Sequence, residues 1–462
     1  MSQCSPHTPC AEIRHTACAD YNNAEVVLRP MLELMALSLL LCLGWLTAPA
    51  RAEDWPGWRG PRGDGSSLEN DVPLRWNGPL GQNIAWKTEI PGKGHSSPIV
   101  CGDRVFVTSC REDRQERVLL CLDRASGQIL WEKVVLHSPL ERRHQLNSGA
   151  SGTPATDGRR VYVAFAEIDP TVAKGDRSFT TEKERPEAVD PCEMFVAAYD
   201  FQGQRQWQAR PGKFASVHGF CTSPVLFEDL VILNGDHDGN AYLVALERAT
   251  GRTVWKTPRE NRTRSYCAPL IRQLDGRTQM ILSGSLCVAS YDPRTGRRHW
   301  IIDGPTEQFI ASPVDDGKLV FITAGFPQWH IMAIRPDGHG NVTKTHVQWH
   351  TTKGCAYVPS PIVSGRYFLV ASDGGIASCF ECATGQRYWM ERIGPHYSAS
   401  LLAAGGAVYF LADDGGTKII RPGPRLEVLA DNPLGENCYA SPAVSQGHIF
   451  LRAEKHLYCI GR

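Results

Sequence analysis

The stretch that decides the fold runs from Thr222 to Trp255 and reads TSPVLFEDLVILNGDHDGNAYLVALERATGRTVW. Three runs rich in Val, Leu and Ile are interrupted by turn residues at Glu228-Asp229, Gly235 to Asn240 and Ala249-Thr250-Gly251, and a fourth run carries Trp255. This pattern predicts four short strands joined by turns, which form one antiparallel sheet. Such a sheet cannot bury its apolar faces alone, so we expect it to pack against copies of itself.

The unit recurs eight times along the chain. It opens with a small residue followed by Pro, at Ser97-Pro98, Thr153-Pro154, Ser223-Pro224, Ala268-Pro269, Ser312-Pro313, Ser360-Pro361 and Ser441-Pro442, with a degenerate copy at Ser400-Leu401. Most copies close with a Gly and a Trp four residues later, as Gly251 and Trp255 do. The fifth copy ends at Trp349 without the close Gly, and the seventh lacks the Trp. The repeat predicts an all-β fold, an eight-bladed β-propeller of four-stranded antiparallel blades.

The last unit has three strands only, because the sequence stops at Arg462 just after the run LYCIG. The missing fourth strand is expected from the N-terminal side of the first unit, where Asn83 to Ile90 (NIAWKTEI) carries Trp86 in a matching setting. We therefore predict that an N-terminal strand pairs into the last blade and closes the ring. Closure removes an open sheet edge that would otherwise invite association with another chain.

Three segments are expected along the chain. Residues 1–52 are assigned to a non-native extension and a signal peptide, 53–82 to a Trp- and Gly-rich leader that packs on the propeller through Trp55 and Trp58, and 83–462 to the propeller itself. The apolar run after Met31 ends at Ala50-Arg51-Ala52, a small-x-small cleavage pattern, so we expect export to the periplasm or another extracytoplasmic space. The alternative is an uncleaved membrane anchor, for which the run is short.

The amino-acid composition limits the classes of partner that the protein could bind. Lys and Arg number 49 and so do Asp and Glu, so the net charge of zero leaves no basic footprint for nucleic acid. Twelve cysteines follow Ala52, and Cys121, Cys379 and Cys459 occupy the same place in three units, where a small buried side chain packs between sheets. We expect packing thiols, with metal or redox use as the alternative.

The long connections identify the face on which ligands should bind. Alternate connections of an up-and-down blade lie on opposite faces of the ring, and the turns between strands one and two and between strands three and four are short. We call their side the turn face. The longer connections, notably 134–152, 256–267 and the charged insertion 166–192, lie on the other side, the loop face, where we expect binding residues. The insertion is either a solvated loop or a lid that contacts a partner.

The residues just before each first strand should ring the mouth of the central channel on the loop face. The candidate ligand-binding residues are His95, Asn147, His218, Tyr266, Tyr357, Tyr397 and Tyr439, with Phe309 at the remaining position. Aromatic and imidazole groups could grip a flat or polar ligand, and Asn147 could add hydrogen bonds. The same side chains could instead plug the channel, and both interpretations predict the same location.

One short segment has the oxygen spacing of a calcium loop. Asp236, Asp238 and Asn240 alternate, and Glu247 follows. Ala241 stands where the sharp turn of such a loop needs Gly, and Glu247 falls where other units carry a turn Asp. We therefore expect a polar connection between strands and assign no metal ligand.

The unit has the core L-x-x-L-D/E-x-A-T/S-G-x-x-x-W, which resembles the pyrroloquinoline-quinone-like propeller repeat over nearly all of residues 86–461. The resemblance implies that each Trp docks between adjacent blades near the turn Gly. The residues of this structural girdle are Trp86, Trp131, Trp207, Trp255, Trp300, Trp349 and Trp389. The resemblance also implies one of two functions, a quinoprotein dehydrogenase or a non-enzymatic scaffold such as the lipoprotein of the outer-membrane-protein assembly machine.

The residues favour the scaffold. A dehydrogenase of this kind would need a Glu/Asn/Asp calcium cluster and a catalytic Asp beneath the quinone, and many carry an adjacent Cys pair. The sequence has no adjacent Cys pair and no C-x-x-C-H haem site, and although Glu307, Glu436 and Asn437 lie near the expected mouth, nothing links them to calcium. We expect a monomeric, exported, non-enzymatic propeller without a cofactor that binds an envelope protein, a glycan or a small molecule. The alternative is a dehydrogenase that uses pyrroloquinoline quinone (PQQ) with calcium; a hydrolase lacks a nucleophile motif such as G-x-S-x-G.

Overall fold

Strands make up nearly all of the regular structure in the computed structural model of the protein, which describes residues 52–172, 189–259, 261, 264–284 and 286–462. The described part holds one short 3₁₀ helix, Glu112–Arg114. The signal peptide predicted within 1–52 lies outside the described residues except for Ala52, and so does most of the insertion 166–192. In the described residues, no helix has the length and apolar character of a membrane span.

The first half of the chain holds an N-terminal strand and the strands of blades 1 to 4. They are β1 (Ile84–Glu89), β2 (Ile99–Cys101), β3 (Arg104–Arg111), β4 (Glu116–Asp123), β5 (Ile129–His137), β6 (Ala155–Thr156), β7 (Arg160–Ile168), β8 (Cys192–Asp200), β9 (Arg205–Phe214), β10 (Val225–Phe227), β11 (Leu230–Gly235), β12 (Tyr242–Glu247), β13 (Thr253–Pro258), β14 (Leu270–Leu274), β15 (Arg277–Gly284), β16 (Cys287–Tyr291) and β17 (Arg298–Asp303).

The second half of the chain repeats the pattern. Its strands are β18 (Val314–Asp315), β19 (Val320–Ala324), β20 (His330–Ile334), β21 (Gly340–Asn341), β22 (Val347–Thr351), β23 (Ile362–Ser364), β24 (Tyr367–Ala371), β25 (Ile376–Glu381), β26 (Arg387–Arg392), β27 (Leu402–Ala404), β28 (Ala407–Leu411), β29 (Thr417–Arg421), β30 (Glu427–Asn432), β31 (Ala443–Ser445), β32 (His448–Arg452) and β33 (His456–Ile460).

These strands form eight antiparallel sheets of four strands, to which β21 adds a fifth strand in one case, so the predicted eight-bladed all-β propeller is confirmed. Blades 1 to 4 are β2–β5, β6–β9, β10–β13 and β14–β17. Blades 6 and 7 are β23–β26 and β27–β30, and blade 5 consists of β18, β19, β20 and β22. Blade 8 contains β31, β32 and β33, and β1 pairs antiparallel with β33, which places Trp86 opposite Cys459.

Burial along the strands explains why the sequence reads as it does. The second strand β3 is buried on both sides over its central six residues, because it lies between two neighbouring blades. The outer strand β13 alternates between exposed and half-buried positions. The core therefore lies between blades, for example where Phe106 and Leu119 of blade 1 belong to one apolar cluster with Phe195 of blade 2.

Tryptophans of the outer strands join six of the blades to the next blade. The indole N–H of Trp207 donates to the carbonyl of Arg248 in the turn of the next blade, at 3.0 Å. Gly251 in that turn has φ of +76°, and a Cβ there would lie 2.5 Å from the Trp207 ring. The same donation joins Trp86 to Arg124, Trp131 to Phe201, Trp255 to Pro293, Trp349 to Cys382 and Trp389 to Gly423. The Gly and Trp of the repeat are therefore one contact shared by two blades.

Trp300 is different from the rest of this girdle. It is fully buried, and its indole N–H donates to Gln279 of its own sheet at 2.9 Å. In the next blade, the turn that would carry the Gly is replaced by a longer connection containing β21, which pairs parallel with β17. The missing Gly before Trp349 thus marks the junction between blades 4 and 5, where β21 takes the place of the Gly turn.

The Ser-Pro or Thr-Pro pairs form a second belt, around the channel. The backbone N–H of Ser97 donates to the hydroxyl of Thr153 in the next blade at 3.0 Å, and the N–H of Thr153 donates to Ser223. The same bond joins Ala268 to Ser312, Ser312 to Ser360, Ser360 to Ser400 and Ser400 to Ser441. Ala268 has no hydroxyl, so it cannot accept from blade 3.

The leader lies across the turn face. Trp55 is buried and pairs through its backbone with Val100 of blade 1. The buried guanidinium of Arg59 donates to the carbonyl of Pro361 in blade 6 at 2.6 Å. Arg272 of blade 4 forms an ion pair with Asp64 at 2.6 Å. Residues 55–64 thus lie against the turn face, whereas Gly78 donates to the carbonyl of Pro433 in the connection that enters blade 8.

Candidate binding surface on the loop face

His95 and Tyr439 meet where blade 1 follows blade 8. Both lie in lead-in connections, by which we mean the connections that enter the first strand of each blade. Their ring centroids are 4.9 Å apart, and both side chains are half-buried. Burial lowers the pKa of His95 to about 4, and the charge of nearby Arg452 contributes to the shift. At neutral pH the imidazole is therefore uncharged.

A second group of predicted rim residues joins blades 2, 3 and 4. His218 Nδ1 lies 3.1 Å from the hydroxyl of Tyr266, which lies 2.8 Å from the hydroxyl of Ser216. The side-chain amide of Asn147 donates to the carbonyl of His218 at 2.7 Å. Burial lowers the pKa of His218, and the neighbouring His144 lowers it further. These contacts hold the side chains of this group in place, because their polar atoms already bond to other groups of the protein.

The third group lies at blades 5 and 6 and is more open. The hydroxyl of Tyr357 donates to Gln308 at 2.6 Å, and burial raises the pKa of Tyr357 to about 12. Beside it, the connection between β19 and β20 exposes Phe326 and Trp329, at 47% and 45% of their surfaces. The centroid of the Phe326 ring lies 6.3 Å from that of Tyr357. We call Phe326, Trp329 and Tyr357 the aromatic patch.

Tyr397 and Phe309, at the remaining two positions, are not exposed at the rim. Both rings are buried in the cores between blades. The lead-in connection of blade 7 turns so that the hydroxyl of Tyr397 lies beneath Gly394, and His396 faces outward instead. His396 is nearly half exposed, and its Nδ1 lies 2.6 Å from a carboxylate oxygen of Asp413.

Asp413 belongs to a recurring feature that the sequence patterns did not reveal. In blades 3, 6 and 7 an Asp between the second and third strands accepts backbone N–H groups of the lead-in connection of the same blade. Asp238 accepts from Val217, Asp373 from Tyr357 and Val358, and Asp413 from Ser398. The available signal was the Asp-Gly pair after the second strand, or Asp-Asp-Gly in blade 7. Each Asp holds the mouth of its blade in place.

In the segment with calcium-loop spacing, two aspartates form ion pairs with arginines. Asp236 forms a buried ion pair with Arg259 at 2.9 Å, and Asp238 forms one with Arg264 at 2.6 Å. Glu247 lies at the opposite end of β12, where its carboxylate contacts Thr250. Across the described ranges, no group of three or more His, Cys, Asp or Glu side chains could hold a metal ion. The oxygens of Asp236 and Asp238 are thus oriented toward guanidinium groups.

The cysteines are unpaired and mostly buried, and Glu436 near the mouth is hydrogen-bonded within the protein. The twelve cysteines among the described residues are free thiols, and burial raises the pKa of Cys121 and of Cys379 to about 12. Glu436 accepts hydrogen bonds from the Lys455 backbone N–H, from His456 at 2.7 Å and from Tyr458 at 2.9 Å. The oxygens of Glu436 are therefore held by donors of its own blade.

The chain and its fold are similar to those of known propeller proteins. Residues 81–177 and 170–390 match the profile of a family described as outer membrane protein assembly factor BamB. The fold is similar to that of BamB from Moraxella catarrhalis, with 11% identity, a TM-score of 0.54, and coverage of 82% of this chain and 99% of that one. It is similar to a quinohemoprotein alcohol dehydrogenase from Comamonas testosteroni, with 10% identity, a TM-score of 0.56, and coverage of 89% and 81%. A search of curated protein sequences found no match.

Proposed function

The chain belongs to the propeller family described as outer membrane protein assembly factor BamB, and from this premise we propose that it is an exported, non-enzymatic protein that holds a protein partner on its loop face. The fold alone does not choose between a scaffold and an enzyme, because both occur on this architecture. The proposal is carried by the aromatic patch, in which Phe326 and Trp329, on one connection of the loop face, are each nearly half exposed. Exposed aromatic clusters of this kind mark protein-binding surfaces.

The size of the patch suits a binding hot spot. Covering the exposed half of Phe326 or Trp329 removes roughly 100 Å² of apolar surface from water, which contributes about 2 kcal/mol per ring. Both rings together contribute about 4 kcal/mol, or roughly a thousandfold in Kd. Trp55 and Arg59, at the start of the leader, lie against the opposite face, which supports the loop face as the docking side. The predicted signal peptide supports export.

Site-specific photo-crosslinking tests the proposal. A photoreactive amino acid placed at Trp329 should crosslink one discrete envelope protein, while the same group at Val134, an equally exposed position on the outer wall, should not. Once that protein is identified and purified, F326S/W329S should weaken its binding at least a hundredfold and leave the thermal unfolding of the propeller unchanged. Equal crosslinking from both positions, or unchanged affinity of the double variant, would refute the proposed docking side.

A PQQ-dependent dehydrogenase is the second candidate, because the fold is also similar to that of a quinohemoprotein alcohol dehydrogenase. The engaged carboxylates of Asp238, Asp413 and Glu436 argue against it. Isothermal titration of the full chain with PQQ in calcium buffer separates the two candidates. Stoichiometric binding would favour the dehydrogenase, and its absence would favour the scaffold.

A further inference from the structure

In the described part of the chain, one buried cation on the loop face, Arg452, has a guanidinium without a hydrogen-bond partner. Arg452 ends the second strand of blade 8, and only 1% of its surface is exposed. None of its three guanidinium nitrogens has a hydrogen-bond partner among the described residues. A buried polar group is normally hydrogen-bonded, and a buried charge is normally paired, since leaving either unsatisfied costs several kcal/mol. The arrangement therefore calls for a compensating group.

The equivalent positions in other blades show what Arg452 faces. Strand pairing places Thr108, Asn234 and Thr323 at the same register as Arg452, each two residues after a residue that pairs with the start of the first strand. These three short, neutral side chains donate to carbonyls of Gly152, Cys267 and Ala356, each in the lead-in connection of the next blade. Arg452 thus faces the lead-in connection of blade 1, which carries His95.

Among the described residues, no neighbouring carboxylate accepts a hydrogen bond from this guanidinium. Glu436 is close enough for its charge to act on Arg452, but its two oxygens accept from the side chains of His456 and Tyr458 and from two backbone N–H groups. Asp413 is bound to His396 and Ser398. Burial lowers the pKa of Arg452 to about 10, so the group remains charged at neutral pH. Because His95 is uncharged there, it does not add a competing cation.

We propose that Arg452 binds the oxyanion of a ligand, a carboxylate or a phosphate, that enters the mouth between blades 8 and 1 past the rings of His95 and Tyr439. A guanidinium presents parallel N–H donors that match two oxygens of such a group. The rings of His95 and Tyr439 are half-buried and their centroids lie 4.9 Å apart, so in this proposal they must move for the ligand to pass. The site is separate from the aromatic patch and does not depend on the proposed docking side.

Anion-dependent thermal unfolding of the full chain tests this site. The probes are sodium phosphate, sodium acetate and the blocked tripeptide acetyl-Gly-Glu-Gly-amide, each raised from 1 to 100 mM at constant ionic strength with sodium chloride. Ligands that bind only the folded state raise Tm with concentration, so we expect a rise of a few degrees for the wild type. Arg452→Met should abolish the rise, and Arg452→Lys should retain part of it.

Arg59→Met is the matched control, because Arg59 is also a buried cation but already donates to Pro361. It should lower Tm and keep the anion response. A response to phosphate and acetate would identify a small-oxyanion site, whereas a response to the tripeptide alone would identify a site for an acidic side chain. If no probe raises the wild-type Tm, or if Arg452→Met responds as the wild type does, the proposal is wrong. Neither result depends on crosslinking from Trp329.

Discussion

The contact between Gly251 and Trp207 gives the sharpest stability prediction. Replacing Gly251 by Ala introduces a Cβ 2.5 Å from the Trp207 ring, closer than real Cβ contacts occur, at a residue with φ of +76°. The left-handed backbone costs about 1 kcal/mol for a residue with a Cβ. Displacing the indole also breaks its hydrogen bond to Arg248, which adds about 1 kcal/mol, and the lost packing adds about another. The expected loss is about 3 kcal/mol in the free energy of unfolding.

Gly276 provides the control for this variant. Its φ is +70°, but a Cβ there would meet nothing within 4 Å. Gly276→Ala should therefore lose only the backbone contribution of about 1 kcal/mol. Urea unfolding followed by Trp fluorescence gives both values, and unchanged m values would show that the same surface unfolds. Equal losses from the two variants would refute the view that this Gly and Trp form one inter-blade contact.

Two further predictions concern the channel. Ala268→Ser supplies the hydroxyl missing from the inner belt and should raise the free energy of unfolding by about 1 kcal/mol, whereas Ser312→Ala, which removes the acceptor used by Ala268, should lower it by a similar amount in urea unfolding. The folded-state pKa of His95, about 4, lies below its ordinary value of 6.5, so the unfolded chain binds the proton more tightly between those values. The free energy of unfolding should therefore fall by at most about 3 kcal/mol as the pH drops from 6.5 to 4, which urea unfolding at several pH values would measure. His95→Gln should reduce this dependence on pH. An unchanged dependence in the variant would contradict the burial of His95.

The features that the sequence predicted are those made by residues close together in the chain. The Ser-Pro pairs and the Gly four residues before Trp mark strand starts and tight turns, so the eight blades could be counted directly. The position of β21 could not, because a parallel pairing with β17 depends on a connection some forty residues away. The absence of Gly before Trp349 showed that the junction was unusual and did not show what replaced it.

The mouth was less predictable for the same physical reason. Whether Tyr397 or His396 faces outward depends on hydrogen bonds to Asp373 and Asp413, which lie on different connections and even different blades. That Arg452 lacks a hydrogen-bond partner within the described ranges is visible only after strand pairing aligns it with Thr108. Location on the loop face followed from topology, whereas the role of each side chain required the packed structure.

The pairing of β1 with β33 has a consequence for the time at which the ring can form. Ile84 lies opposite Ile460, so the partner of β1 is about 370 residues further along the chain. At synthesis rates of 5–20 residues per second, β1 leaves the ribosome roughly 20 to 70 seconds before its partner exists. During that interval its backbone groups form an unprotected edge, and the last blade is incomplete. The N-terminal strand is therefore the first part of the propeller to be made and the last to find its place.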